Sequence, residues 1–339
     1  MSSDLILDIQ PLGFQWKTLD PFLFCVHHQD FYPAGNAQMG PQDSLGGRNI
    51  GQDFQRKDGW NMYHGQQVPG FPGHPHRGFE TVTIVQKGVV DHADSLGAAG
   101  RYGNGDVQWM TAGKGIQHSE MFPLLRQDAD NTMELFQVWV NLPAASKLVS
   151  PHFTMFWNEN MPRYTSADGR VTVDVIAGDL QGISALAPPP DSWAADPRHH
   201  LGIWLVRLAA GAEWEMPATV SGHNRSLYFF QGDTLTLAGK ELSSGHSARL
   251  RPEHAVTLKN TGQQEARLLV LQGQPIGEPV AHYGPFVMNS REELQQAFID
   301  YQRDQFGGWP WPRDDQVHPR ESKRFARYDD GREEHPAGE

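Results

Sequence analysis

His74-Pro75-His76 and His118-Ser119-Glu120 each set two metal-capable side chains apart by a single residue. That spacing constrains the backbone more than any other feature of the chain. In an extended strand, residues i and i+2 share a face. Each pair therefore presents two donors side by side, and two such strands facing each other offer three imidazoles and one carboxylate. This donor set suits a first-row transition metal such as Fe, Mn, Co, Ni or Cu, whereas Mg and Ca favour cages made wholly of oxygen.

The surrounding sequence reads as strands. Thr81 to Val85 precedes Lys87-Gly88, Val107 to Met110 follows Gly105-Asp106, and Leu135 to Val140 precedes Asn141. Brief apolar runs with Gly and Asp punctuation predict a β-sandwich or barrel, and 35 Gly with 24 Pro suit a turn-rich β protein. Residues 143 to 165 read as connective, followed by a strand at Val171 to Ile176 and a Pro188-Pro189-Pro190 linker. A second strand-rich block then runs through Leu201 to Val206, Leu227 to Phe230, Thr234 to Leu237, Val256 to Lys259 and Arg267 to Leu271. Its rhythm echoes the first, Tyr228-Phe229-Phe230-Gln231-Gly232 against Thr83-Ile84-Val85-Gln86-Lys87-Gly88. The expectation is an all-β chain of two tandem domains. The second block has no His-x-His, and His223, His246 and His254 are scattered, so the chemistry belongs to the first domain.

Three segments fall outside this rhythm. Residues 31 to 73 are rich in Gly, Asn, Gln, Asp and Pro, which predicts a lid, a binding loop or a disordered excursion. Within it, Trp60-Asn61-Met62-Tyr63-His64 is expected to pack beside the site. Ser290 to Glu293 forms an S-x-x-E capping box, followed by Leu294, Ala297, Phe298 and Tyr301 at helical spacing, which predicts a helix over 290–306 that Gly307-Gly308 and Pro310 stop. Residues 307–339 read as a polar tail with Trp309 and Trp311 as an anchor.

The bulk properties narrow the partners. A net charge of −12 over 339 residues disfavours direct binding to nucleic acid or to an anionic membrane surface. No stretch approaches the length that spans a bilayer, and the N-terminal apolar run is too short and too acidic for a signal peptide. Cys25 is the only cysteine, so no intramolecular disulfide can form. A reducing, cytoplasmic location is expected.

Alternation alone leaves the carboxylate ligand open. Glu80 has the parity to share a face with His76, Glu120 shares one with His118, and a single bulge would reverse either. Glu80 also suits a role in orienting a ligand imidazole.

Three longer runs carry a resemblance. His74-Pro75-His76-Arg77-Gly78-Phe79-Glu80-Thr81-Val82, the stretch Gly105 to Gly113 with Gly115 to Met121, and Gly284-Pro285-Phe286-Val287-Met288-Asn289 are similar to the pirin family of bicupins. The resemblance spans most of residues 15 to 305. It implies two cupin barrels: an N-terminal domain over 1–145 with the metal site, and a C-terminal domain over 146–306 without one that ends in the helix. The long stretch before Gly73 and the tail after Phe306 depart from the family pattern. Carried over residue by residue, the resemblance makes His74, His76, His118 and Glu120 the ligands of one divalent metal, most naturally Fe(II), with Mn, Ni, Co, Cu or Zn as alternatives. Glu80 becomes non-ligating.

The resemblance also implies a reaction, the dioxygenation of flavonols by O₂ in the manner of a quercetinase, with a small aromatic substrate. In it Glu120 serves as general base, and Phe79, Trp109, Met110 and Met121 line an apolar pocket. Its alternative is a non-catalytic, metal- or redox-dependent regulator that binds a transcription factor or a metabolic enzyme.

Overall fold

The computed structural model describes residues 5–338. Strands dominate it, with the helix Arg291–Asp304 as the one α-helix among the described residues. The expected strands are all present. Val107–Thr111 and Thr234–Leu237 lie almost where the sequence puts them, whereas Phe79–Lys87 and Asn131–Asn141 run longer at both ends. Among the described residues, no helix is long and apolar enough to cross a membrane.

Two compact units divide the chain: residues 1–26, 138–143 and 160–277 in one, and residues 27–137, 144–159 and 278–339 in the other. Each unit thus draws on segments from both halves of the chain. Strand partners lie far apart in sequence, and a composition shift does not reveal them. In the first unit, Ile6–Pro11 pairs antiparallel with His246–Leu250, so the chain's opening strand joins a sheet built from its second half. That seven-stranded sheet continues through Asn224–Gln231, Ala266–Gly273, Gly202–Leu208, Val171–Ala177 and Arg163–Thr165, and a four-stranded sheet accompanies it. Inward side chains such as Val173, Val206, Leu227, Phe229, Leu268 and Val270 make its core.

The other unit carries both histidine pairs. One of its sheets runs in the order Glu333–Glu334, Phe325–Arg327, Ala99–Gly103, Val89–Asp94, Ile116–Met121 and Gly70–His76. A second includes His152–Phe156, Val107–Thr111 and Phe79–Lys87. His152–Phe156 is a strand inside the stretch read as connective; it pairs along Val107–Thr111.

Residues after 306 are no loose tail. Phe325–Arg327 pairs with Ala99–Gly103. The buried Arg101 grips Asp91 through two bonds, Nε to Oδ1 at 2.7 Å and Nη2 to Oδ2 at 2.8 Å. Its remaining N–H groups donate to the carbonyls of His318, Pro319 and Ser322 at 2.9 to 3.0 Å. The aromatic anchor is real as well: Trp311 Nε1 donates to the Asp94 carbonyl at 2.7 Å.

The long excursion before Gly70 has little regular structure but is held from within. Asp30 accepts from the Tyr63 hydroxyl at 2.6 Å and from the Asn61 backbone at 2.9 Å. Arg48 pairs with Asp53 at 2.9 Å and lies over the Trp60 ring. The Arg291–Asp304 helix has the expected capping box, Ser290 accepting from the Glu293 backbone while the Glu293 carboxylate accepts from Ser290 N. Its apolar stripe, Leu294, Ala297, Phe298 and Tyr301, packs on Phe286 and Met288.

Candidate metal centre

Two neighbouring strands assemble the site. Gly70–His76 pairs antiparallel with Ile116–Met121, and a register shift between Phe71 and His74 sets His74 directly opposite His118. Because His76 lies two residues on, it shares the face of His74. The ligand atoms of His74, His76 and His118 all lie within 4.8 Å of one another. Their ring centroids are 4.5 to 5.0 Å apart.

Burial sets the chemistry of these rings. It pulls His74 down to about 4 and holds His76 and His118 well below the ordinary histidine range, with neighbouring imidazoles adding to the effect. Neutral imidazoles with free lone pairs are the form that binds a metal. His74 Nδ1 is engaged with the Pro72 carbonyl at 2.9 Å, which leaves Nε2 toward the other rings. His118 is fully buried, and neither of its ring nitrogens has a hydrogen-bond partner among the described residues. Leaving a buried polar atom unsatisfied costs about 1–3 kcal/mol. A metal ion where the three rings converge would satisfy one of the two, which fits the site to such an ion.

Glu120 stands at the edge of this group. Its Oε2 is 3.8 Å from His118 Nε2. Thr83 Oγ lies 2.9 Å from Oε1, and Gln137 Nε2 donates to Oε2 at 3.2 Å. Burial raises its carboxyl above the usual range, against the lowering effect of the Thr83 and Gln137 bonds.

Glu80 does not share the face of His76. Gly78, at φ 85°, takes a left-handed conformation where a Cβ would run into the Val287 carbonyl. The chain turns there and enters the other sheet, which breaks the alternation from His76. The buried Glu80 accepts instead from Thr111 Oγ at 2.7 Å, its partner across the strand pair.

Of the four residues expected to line a pocket, Phe79 meets a site ring edge-on, 5.1 Å from His76. Trp109 packs against Phe156, Met110 lies in the core with Val85, Tyr102 and Phe153, and Met121 packs with Met39 and Val68. These three are interior packing. Part of the long excursion does reach the site, through Tyr63 against Phe71 at 5.0 Å and Phe71 against His74 at 6.3 Å.

The sequence reading missed His92. It lies opposite Glu120 on Val89–Asp94, its ring 5.6 Å from that of His118, with Nε2 3.3 Å from Asp94 Oδ2. The signal was present: His92-Ala93-Asp94 is a third i, i+2 pair.

Two strand-built units, one of them gathering three imidazoles on adjacent strands, two buried and one half-buried, define a bicupin with a single candidate metal centre among the described residues. The comparisons place it more closely. Residues 13–140 match the family model described as Pirin, and residues 203–307 match the Pirin C-terminal cupin domain. The chain belongs to the pirin family. A Pirin-like protein of Caulobacter vibrioides is 42% identical over 244 residues, covering 70% of this chain and 80% of the relative. Pirin of Homo sapiens is 35% identical over 252 residues, 73% of this chain and 81% of the relative. A Pseudomonas aeruginosa protein that carries the provisional name quercetin 2,3-dioxygenase is 42% identical over 242 residues, 69% of this chain and 79% of that one. Among solved structures, quercetin 2,3-dioxygenase from Acinetobacter baumannii superposes with a TM-score of 0.69 at 26% identity, over 90% of this chain and 96% of that one.

Proposed function

We propose that the chain is a mononuclear metal dioxygenase of quercetinase type, acting with O₂ on a small flavonol-like aromatic substrate. In this reading His74, His76, His118 and Glu120 hold one divalent metal, with Fe(II) as the first candidate. The observation that carries it is the convergence of three neutral imidazoles, one with both nitrogens buried and unsatisfied. The similarity to proteins named quercetin 2,3-dioxygenase points to the substrate class.

When bound, the metal supplies a Lewis acid with open positions and access to one-electron chemistry. The protein does the rest. Glu120 takes the proton of the substrate's enolic hydroxyl. Thr83 and Gln137 hold that carboxylate in one orientation, and the Pro72 carbonyl fixes the His74 tautomer. Phe79 gives the His76 side an apolar wall that keeps water from the reacting face.

Oxygen uptake by Fe(II)-loaded protein across a flavonol panel tests this directly. We expect uptake that depends on the flavonol and is lost in His76→Ala, with Glu120→Gln slowed by about 10²- to 10⁴-fold, the usual worth of a general base. Stoichiometric metal without uptake on any flavonol would replace the enzyme reading with the regulatory one.

A further inference from the structure

Two of the three histidines stand on a strand that its own sheet holds on one side. Gly70–His76 is the last strand of a six-stranded sheet, and its ladder with Ile116–Met121 is interrupted by the register shift between Phe71 and His74. An edge strand has one row of backbone groups with no neighbour in the sheet. Metal ligands, by contrast, must keep their places to within about 0.5 Å. Support from outside the sheet is needed.

Alternation puts the residues between the ligands on the opposite face, where Pro75 lies across from Gln117. The end of the Arg291–Asp304 helix and the residues just after it meet that face at the buried Gln117. Gln117 Nε2 donates to the carbonyls of Gln305 at 2.7 Å and Gly308 at 3.1 Å, and Oε1 accepts from the Tyr301 hydroxyl at 3.0 Å. Its backbone is taken as well: N donates to Ser95 Oγ at 3.1 Å, and the carbonyl accepts from Ser95 N at 2.8 Å. One side chain thus joins the residue before His118 to three points around the helix end.

Further contacts from the same stretch reach the other strand. Gly73 N donates to the Asp314 carbonyl at 2.8 Å, within the interrupted part of the ladder. Arg77 pairs with Asp300 at 2.8 Å and lies over the Phe306 ring. Gly115, at φ 129°, sits so close to that ring that a Cβ would clash with it. Asp300 to Asp314 therefore holds the His118 strand and the His74–His76 strand against one support.

We propose that Gln117 is a positioning residue for the metal centre. By tying the His118 strand to the helix end, it sets the place of His118 relative to His74 and His76, and with it the geometry and the escape rate of the ion. This role rests on the metal-binding reading above and extends it to a side chain on the far face of the strand.

Full-length protein loaded anaerobically with one equivalent of Co(II) provides the test. The visible d–d bands report coordination geometry, and transfer of Co(II) to excess EDTA reports the escape rate. Gln117→Leu keeps most of the bulk and loses three hydrogen bonds. We expect shifted bands and transfer roughly 10- to 100-fold faster, the usual worth of a metal site's outer partners. Tyr301→Phe keeps the ring and loses one bond. It should speed transfer roughly 2- to 10-fold, the worth of one neutral hydrogen bond, and it decides the matter if Gln117→Leu does not fold. Ser290→Ala removes the cap at the other end of the same helix, which should lower the melting temperature yet leave bands and transfer rate at parent values. A parent that takes up no Co(II) would sink the metal centre and this role together. If the parent binds one equivalent, parent bands and parent rate in a folded Gln117→Leu, or failing that in Tyr301→Phe, would overturn the role of Gln117 alone. So would equally fast release from Ser290→Ala.

Discussion

His118 shows how a strand pair turns spacing into chemistry. His74 faces it from one neighbouring strand and Asp94 from the other, and the ring between them has both nitrogens buried. Such a residue costs the fold stability unless something pairs with it. His28 allows the same cost of burial to be measured away from the candidate ligands. It is buried edge-on against Tyr63 at 4.8 Å, and burial, then the nearby His27, lowers it to about 3. An unfolded histidine titrates near 6.5. Between those values the unfolded chain binds the extra proton, so stability falls as pH drops through this window and does not change with His28 above it. Urea denaturation at pH 7, 6 and 5 should show the parent losing up to about 1.4 kcal/mol per pH unit relative to His28→Phe. Parallel stability curves would mean that His28 is not held neutral.

Among the elements, the segment after the helix carries the most structural weight for its composition. Around the site, it and the helix before it touch residues that flank each histidine. The Asp314 carbonyl accepts from Gly73 N at 2.8 Å, Asp300 pairs with Arg77 at 2.8 Å, and the Gln305 carbonyl accepts from Gln117 Nε2 at 2.7 Å. Arg101 anchors the segment through the buried Asp91 and three carbonyls. Breaking a buried ion pair from one side typically costs about 3–5 kcal/mol, because the other charge stays behind. Arg101→Ala should therefore destabilise the protein by about that amount and expose residues 309–323 to limited proteolysis. A change below about 1 kcal/mol, the worth of an exposed pair, with the segment still resistant, would show that the latch is held elsewhere. Apart from the Trp311 anchor, none of this was legible beforehand. A run of Arg, Asp, Glu and Pro reads as solvated chain, and only the buried partners Asp91 and Arg101 reveal that it is not.

At the scale of the molecule, the sequence displayed what depends on local periodicity. The strand rhythm, the capped helix from Ser290 and the two histidine pairs rest on i, i+2 or i, i+3 relations that a single chain exposes. What depends on distant pairing stayed hidden. The strand Phe22–Tyr32 contains His27, His28 and Asp30, which mask its alternation until their buried partners are known. The exchange of Ile6–Pro11 into a sheet from the chain's second half has no local mark. Glu80 misled because parity was counted through Gly78, where a turn sends the chain to another sheet. The account as a whole depends on one ion being held by the leading pairs. Metal analysis after reconstitution with Fe(II) and desalting is its most direct test. We predict one equivalent per chain in the parent and less than about a tenth of that in His118→Ala, since loss of one ligand of four removes several kcal/mol of affinity. A full equivalent retained by a folded His118→Ala chain would contradict it.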